Sequence, residues 1–143
     1  MAEKKINLTA EITLITAFQD ADPMGMIYHG NYFRFFENAR LVLMNKIDYN
    51  YRAMVDSGYF WPVIDSYVKY IKPIPYDHKI RVKASLTAWE NYVRVEYIIF
   101  DQETGEKMTK GYTRHVAVKM SSQQMCLASP RVFLDKLEDY FVN

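Results

Sequence analysis

A chain of 143 residues has the length of one domain with a substantial core, since a domain of this size hides about two-thirds of its unfolded surface. Half the residues are hydrophobic and 15% are aromatic, which excludes a disordered chain, and a formal net charge of +1 provides no field to draw the protein onto nucleic acid or anionic lipid. Cys126 is alone and permits no internal disulfide, the opening MAEKKINLTAE lacks the apolar core of a secretory signal, and no run approaches the roughly 18 apolar residues of a membrane span; a single cytoplasmic domain over 1–143 is expected, with no integral membrane segment and no nucleic-acid partner.

In chain order, Met1 to Asn7 is polar and expected to be loose at its tip. Ala10 to Phe18 alternates as a strand, with Ile12, Leu14, Thr16 and Phe18 on one face. Asp20, Asp22, Pro23 and Gly25 then make a loop, and Pro23 holds Asp22 extended. A helix is predicted from His29–Asn31 to about Ile47. Its apolar and aromatic residues cover most of the circumference, leaving Arg34, Asn38 and Asn45 on a narrow polar edge beside Glu37, so the helix should be wrapped by protein. A shorter helix over Tyr51–Ser57 stops at Gly58.

Beyond it, Val63–Ile71, Lys79–Trp89, Tyr92–Phe100 and Lys107–Met120 follow the β pattern, the last long enough to bend. KPIPYDHK forms a turn after the first of these, and Glu90-Asn91 and Gln102–Gly105 join the later ones as hairpins. Ser129 and Pro130 are placed as an N-cap and first residue of a final amphipathic helix carrying Phe133, Leu134, Leu137 and Phe141. Strands set beside one segregated helix define an α+β class: a curved antiparallel sheet of about five strands rolled around the long helix. The edges and outer face of such a sheet call for a second copy, so a dimer or larger assembly is expected.

The loop-to-helix junction concentrates the chemistry. The first N–H groups after Tyr28 have no partner within the helix and carry roughly half a positive charge from its dipole, which suits a developing oxyanion. Asp22 lies seven residues before His29, and Gly25 and Gly30 let a substrate approach the backbone. A carboxylate opposite oriented donors is a hydrolytic arrangement. The plainer readings stand beside it: Asp22 as the acceptor of a local turn, with Asp20 a weaker candidate, His29 as a structural hydrogen-bond donor, and Glu37 with Arg40 as an ion pair, at least one of them partly buried by so apolar a helix and in need of a partner. His78, His115 and Cys126 lack metal-ligand spacing, and no metal or cofactor is assigned.

The run Asp22-Pro23-Met24-Gly25-Met26-Ile27-Tyr28-His29-Gly30-Asn31-Tyr32, followed by Phe35-Phe36-Glu37 and Ala39-Arg40, resembles the signature of hot-dog-fold acyl thioesterases of the 4-hydroxybenzoyl-CoA type, especially the bacterial acyl-CoA branch associated with the Tol–Pal system. Ile71–Asp77 and Val116–Lys119 resemble later parts of the same pattern more loosely. The resemblance implies a hydrolase acting on acyl-CoA or an acyl-carrier-protein thioester. It implies Asp22 as general base or nucleophile, the backbone N–H of His29 as the group that polarises the thioester carbonyl, and Gly25, Tyr28, Gly30, Asn31 and Glu37 as lining or supporting residues. It also implies a site at the interface of a homodimer or homotetramer. Met24 and Met26 are bulkier than the residues often found there, and Gly30 replaces a frequent Ala. Lys69, Lys72, Arg81, Arg114 and Lys119 are the candidates to meet carrier phosphates. Two other readings are a hot-dog 3-hydroxyacyl dehydratase using His29 with Glu37, against which stands the missing His-Phe-Pro run, and a non-catalytic acyl-binding module.

Overall fold

The computed structural model describes residues 4–142. In chain order the elements are β1 (Lys5–Ile6), β2 (Thr9–Ile15), α1 (Tyr32–Lys46), α2 (Tyr51–Asp56), β3 (Tyr59–Phe60), β4 (Val63–Tyr70), β5 (Lys79–Ala88), β6 (Val93–Asp101), β7 (Lys107–His115), β8 (Val118–Lys119), α3 (Arg131–Asp135) and β9 (Phe141–Val142). Five of the strands form an antiparallel sheet in the order β2-β5-β6-β7-β4, and α1 packs against its β2–β5 side. This is the α+β hot-dog arrangement expected from the sequence.

Strict alternation decides which face is buried. Ile80, Val82, Ala84 and Leu86 of β5 and Val93, Val95, Tyr97 and Ile99 of β6 point inward and are buried. They meet Tyr32, Phe35, Phe36, Ala39 and Leu43 of α1. At the centre Phe36 lies flat on Tyr97, with ring centroids 4.4 Å apart and planes 5° from parallel. Gly111 sits opposite Tyr97 in the β6–β7 register. A Cβ there would lie 2.9 Å from the Phe36 ring and 2.4 Å from the carbonyl oxygen of Tyr67 on β4. Only glycine lets the strand pair and the aromatic stack coexist.

The polar edge of α1 is as expected, with Arg34, Glu37, Asn38 and Asn45 exposed. The helix is not wrapped all round, however. Leu41 is 50% and Val42 40% exposed, because the sheet curves past one side of the helix and stops. α2 is capped as its sequence suggests: the Asn50 side chain accepts from the Ala53 N–H at 2.9 Å, and Gly58 takes the left-handed conformation at φ +86°.

Several boundaries differ from expectation for identifiable reasons. The first strand ends at Ile15 because Thr16 is locked: its N–H donates to the His78 carbonyl, its hydroxyl to that of Pro75, and its Oγ accepts the His78 N–H. Phe18 therefore falls in a 3-10 turn (Phe18–Asp20) and is 74% exposed, rather than sharing the inward face of Ile12 and Leu14. The strand begun at Lys107 ends at His115 rather than Met120, and the chain re-enters as β8 to pair with β3. Pro130, not Ser129, occupies the cap position of a helix only five residues long. Phe141 leaves that helix to pair with Ile6, so Lys5 and Ile6 are tied down as strand β1. The tip expected to be loose falls on Met1–Glu3, outside the described residues. No helix among the described residues is long and apolar enough to cross a membrane.

The Gly111 contact makes a direct prediction. Gly111→Ala is expected to cost about 1–3 kcal/mol through overpacking, read as a lower urea midpoint with an unchanged slope.

Candidate active site

The loop after β2 is folded on itself before it reaches the helix. The Asp22 N–H donates to the Met26 carbonyl at 2.7 Å and the Gly25 N–H to the Asp22 carbonyl at 3.0 Å. Gly25 takes φ +80°, the left-handed conformation this reversal requires. Its carbonyl accepts from the Tyr76 N–H and the Ile27 N–H donates to Ile74, so the turn is stitched onto the segment leading into β5.

Asp22 is half-buried, and its two carboxylate oxygens differ. Oδ1 accepts from the N–H groups of Met24 at 2.9 Å and Met26 at 3.2 Å. Oδ2 has no hydrogen-bond partner among the described residues. The turn-acceptor reading of Asp22 therefore holds, through one oxygen, and leaves the other open.

The helix entry is fixed by Asp20, which the sequence ranked lower. Its carbonyl accepts from the Tyr28 N–H at 2.9 Å and from Asn31 Nδ2 at 3.0 Å, and its buried carboxylate pairs with Arg34 in the first turn of α1. Asp20 is thus the anchor that brings the loop back to the helix. His29–Asn31 form a 3-10 turn ahead of α1, with Tyr28 at the cap position and no side-chain cap. The N–H groups of His29 and Gly30 find no acceptor among the described residues. The carbonyl of His29 accepts from the hydroxyl of Tyr70, on β4, at 3.0 Å. Burial raises the pKa of Tyr32, which lies beside both Tyr70 and Asp22 and is held as the neutral phenol.

Of the residues picked from sequence, Asp22, Gly25, Tyr28, His29, Gly30 and Asn31 are gathered in this one turn. The Tyr28 ring lies 4.3 Å from that of His29 and covers Gly30, where a Cβ would come within 2.7 Å of it. A side chain at position 30 would require the exposed Tyr28 ring to move. Glu37 stands apart, exposed on α1, and the Glu37–Arg40 ion pair does not form. Among the phosphate candidates, Lys72 pairs with Glu106 at 2.5 Å, Arg81 with Glu11 at 3.0 Å, and Arg114 with both oxygens of Asp65. Lys69 and Lys119 form no ion pair among the described residues. The described residues contain no group of His, Cys, Asp and Glu able to hold a metal.

A second polar cluster was not legible in the sequence. Arg40 turns inward to Tyr97 Oη and His115 Nε2, each at 3.4 Å. His115 Nδ1 donates to the Trp61 carbonyl at 3.2 Å, which leaves Nε2 as an acceptor for the Thr113 hydroxyl at 2.9 Å; Thr113 Oγ1 in turn accepts from Tyr97 at 2.8 Å. A directed chain of donors therefore runs from Arg40 through Tyr97, Thr113 and His115 to Trp61, joining α1, β6, β7 and the approach to β4. Arg40 and His115 also line a cavity of about 530 Å³ between α1, α2 and Tyr59–Pro62. No periodicity marks Arg40 and His115 as neighbours, since they lie 75 residues apart.

Burial, with the Arg40 charge beside it, lowers the pKa of His115 to about 4. The unfolded chain takes up this proton below about pH 6.5 and the folded chain only below about 4, so the stabilisation is complete above about 6.5 and is lost as pH falls through that window. Urea midpoints are expected to drop between about pH 6.5 and 4.5, and the corresponding series for His115→Gln to be flatter, the full difference amounting to about 3 kcal/mol.

Comparison with known proteins bears on the family and the fold. The profile of the Thioesterase-like superfamily matches residues 16–137. A DHNA-CoA thioesterase from Staphylococcus aureus is 32% identical, with a TM-score of 0.76 over 83% of this chain and 80% of that one. A candidate esterase of Aquifex aeolicus (strain VF5) is 29% identical over 85% of this chain and 92% of its own length. The candidate acyl-CoA thioesterase YneP of Bacillus subtilis (strain 168) is 27% identical over 73% and 76% respectively. By fold and by the match over most of its length, the chain belongs to the Thioesterase-like superfamily of hot-dog proteins.

Proposed function

We propose that the protein hydrolyses acyl thioesters of CoA or of an acyl carrier protein, with Asp22 as the reactive carboxylate and the His29 N–H as the electrophilic donor. The observation that carries this reading is the asymmetry of Asp22: Oδ1 is immobilised by two N–H groups while Oδ2 is unpartnered, in the same turn that presents the free N–H groups of His29 and Gly30. A carboxylate held by one oxygen is oriented without being consumed. A thioester carbonyl placed against the His29 N–H develops negative charge as oxygen adds to carbon, and one such donor contributes roughly a hundredfold to a thousandfold in rate. With Asp22 as base, water loses a proton to Oδ2 and its oxygen bonds to the acyl carbon. The C–S bond then breaks, and the thiolate takes up the proton to leave as thiol. With Asp22 as nucleophile, Oδ2 bonds to the acyl carbon and the C–S bond breaks to expel the thiolate; water then opens the resulting anhydride to free the acid and the Asp22 carboxylate, and its proton goes to the thiolate. Tyr28 and Asn31 shape and fasten the turn. CoA as carrier is supported by the activity named for the Staphylococcus aureus relative.

The neutral amide of Asn retains an oxygen for the Met24 and Met26 N–H groups, so Asp22→Asn keeps the turn and removes the charge. Its thiol release from acyl-CoA substrates is expected to fall by about a hundredfold to ten-thousandfold with an unchanged melting temperature. Full activity in this variant overturns the assignment.

The working form is proposed to be a homodimer or homotetramer. β4 is a sheet edge bearing exposed Val63, Ile64, Tyr67 and Tyr70, and it carries the tyrosine that bonds to the His29 carbonyl; exposed Leu41 and Val42 lie on α1. Light scattering is expected to return a multiple of 16.9 kDa, and Ile64→Lys to shift the mass towards the monomer.

A further inference from the structure

The cavity beside Arg40 sets one cation against apolar walls. Its walls are apolar and aromatic, including Leu41, Met44, Trp61 and Phe133, and its volume of about 530 Å³ falls within the roughly 300–1,000 Å³ range of small-molecule sites. The Trp61 indole N–H is already satisfied, donating to the Tyr49 hydroxyl at 3.1 Å. The Arg40 guanidinium is not. Its contacts to Tyr97 and His115 are both long, and each of those acceptors makes a shorter bond to Thr113. No carboxylate lies within ion-pairing distance of Arg40 among the described residues; Glu37, one turn earlier, is exposed and reaches the cluster only through its charge, which acts on Tyr97. His115 carries no negative charge in either protonation state and cannot balance the guanidinium. A half-buried cation with donors to spare in an apolar cavity is stabilised by an anionic oxygen brought in by an occupant.

We propose that this cavity receives the acyl part of the thioester and that Arg40 is a specificity residue selecting acyl groups with a carboxylate at their far end. The assignment of the cavity to the acyl group rests on the thioesterase reading above. The hydrocarbon segment packs on Leu41, Met44 and Phe133, and the terminal carboxylate takes the fork of guanidinium donors that the protein leaves unused.

The test compares hydrolysis of octanoyl-CoA with that of 7-carboxyheptanoyl-CoA, substrates of the same chain length that differ at the terminus. The wild-type protein is expected to favour the carboxylated substrate in kcat/KM by about tenfold to a hundredfold. Arg40→Gln is expected to abolish that ratio, and Arg40→Lys, which keeps the charge but loses the fork, to retain part of it. Circular dichroism of each variant verifies that it is folded. A wild-type preference for octanoyl-CoA, or a ratio unchanged in folded Arg40→Gln, overturns the proposal while leaving the hydrolase reading standing. If neither thioester is hydrolysed, that reading fails separately, and the cavity is then tested by fluorescence of Trp61 with monomethyl octanedioate against methyl octanoate, using Trp61→Phe to assign the signal. A saturable response to the carboxylated ester alone, lost in Arg40→Gln, retains the cavity as an anion-terminated ligand site. No such response overturns it.

Discussion

The close approach of α1 to the sheet, made possible by Gly111, is the constraint on which the other features depend. The Phe36 ring lies on Tyr97 and fills the space in which any side chain at 111 would stand, and the β4 carbonyl of Tyr67 crowds the same point from the other strand. One residue thus fixes the height of the helix above the sheet and the pairing of β7 with the edge strand. Interiors at this packing density transmit a shift of a few tenths of an ångström rather than absorbing it. Phe36 lies in the first half of α1, so the stack sits between the N-terminal turn with its free N–H groups and the inward-facing Arg40 a turn beyond it.

Two aspartates two residues apart divide the work of the entry loop, and their partners decide which does what. Asp20 is spent on structure, with its carbonyl accepting two donors and its carboxylate paired to Arg34. Asp22 spends one oxygen on the turn and keeps the other. Holding a reactive carboxylate through one oxygen lowers the entropy lost when it meets its substrate, while leaving a lone pair to react. The same logic applies around Arg40, midway along α1. Tyr97, Thr113 and His115 satisfy one another in a directed chain, so the cation that heads the chain has donors left over.

The exposed apolar surface follows from how far the sheet curves. Leu41 and Val42 lie where the sheet has ended, and β4 offers an unpaired edge beside the helix-entry turn. The long helix has more apolar circumference than one sheet covers. Burying the remainder at roughly 25 cal/mol per Å² is a driving force for association, and the charged outer-face pairs such as Asp65 with Arg114 limit where it can act.

The sequence by itself determined the fold class, the strand alternation, the helix and the turn that carries Asp22 through Asn31. These rest on local physics: periodicity, Pro and Gly conformations, and the orphan N–H groups of a helix start all act within a few residues. What only the tertiary structure decided depends on contacts between distant residues. The lock of Thr16 onto Pro75 and His78 ended the first strand early, and β9 drew Phe141 out of its helix to meet Ile6. The anchoring role of Asp20, the separation of Glu37 from Arg40, and the meeting of Arg40 with His115 were equally invisible beforehand. A side chain's neighbours on its own helix are set by spacing, but its partner across the core is set by how the sheet closes. Spacing offers Arg40 an ion pair with Glu37 on a helix apolar enough to bury one of the two, and folding supplied Tyr97 and His115 instead.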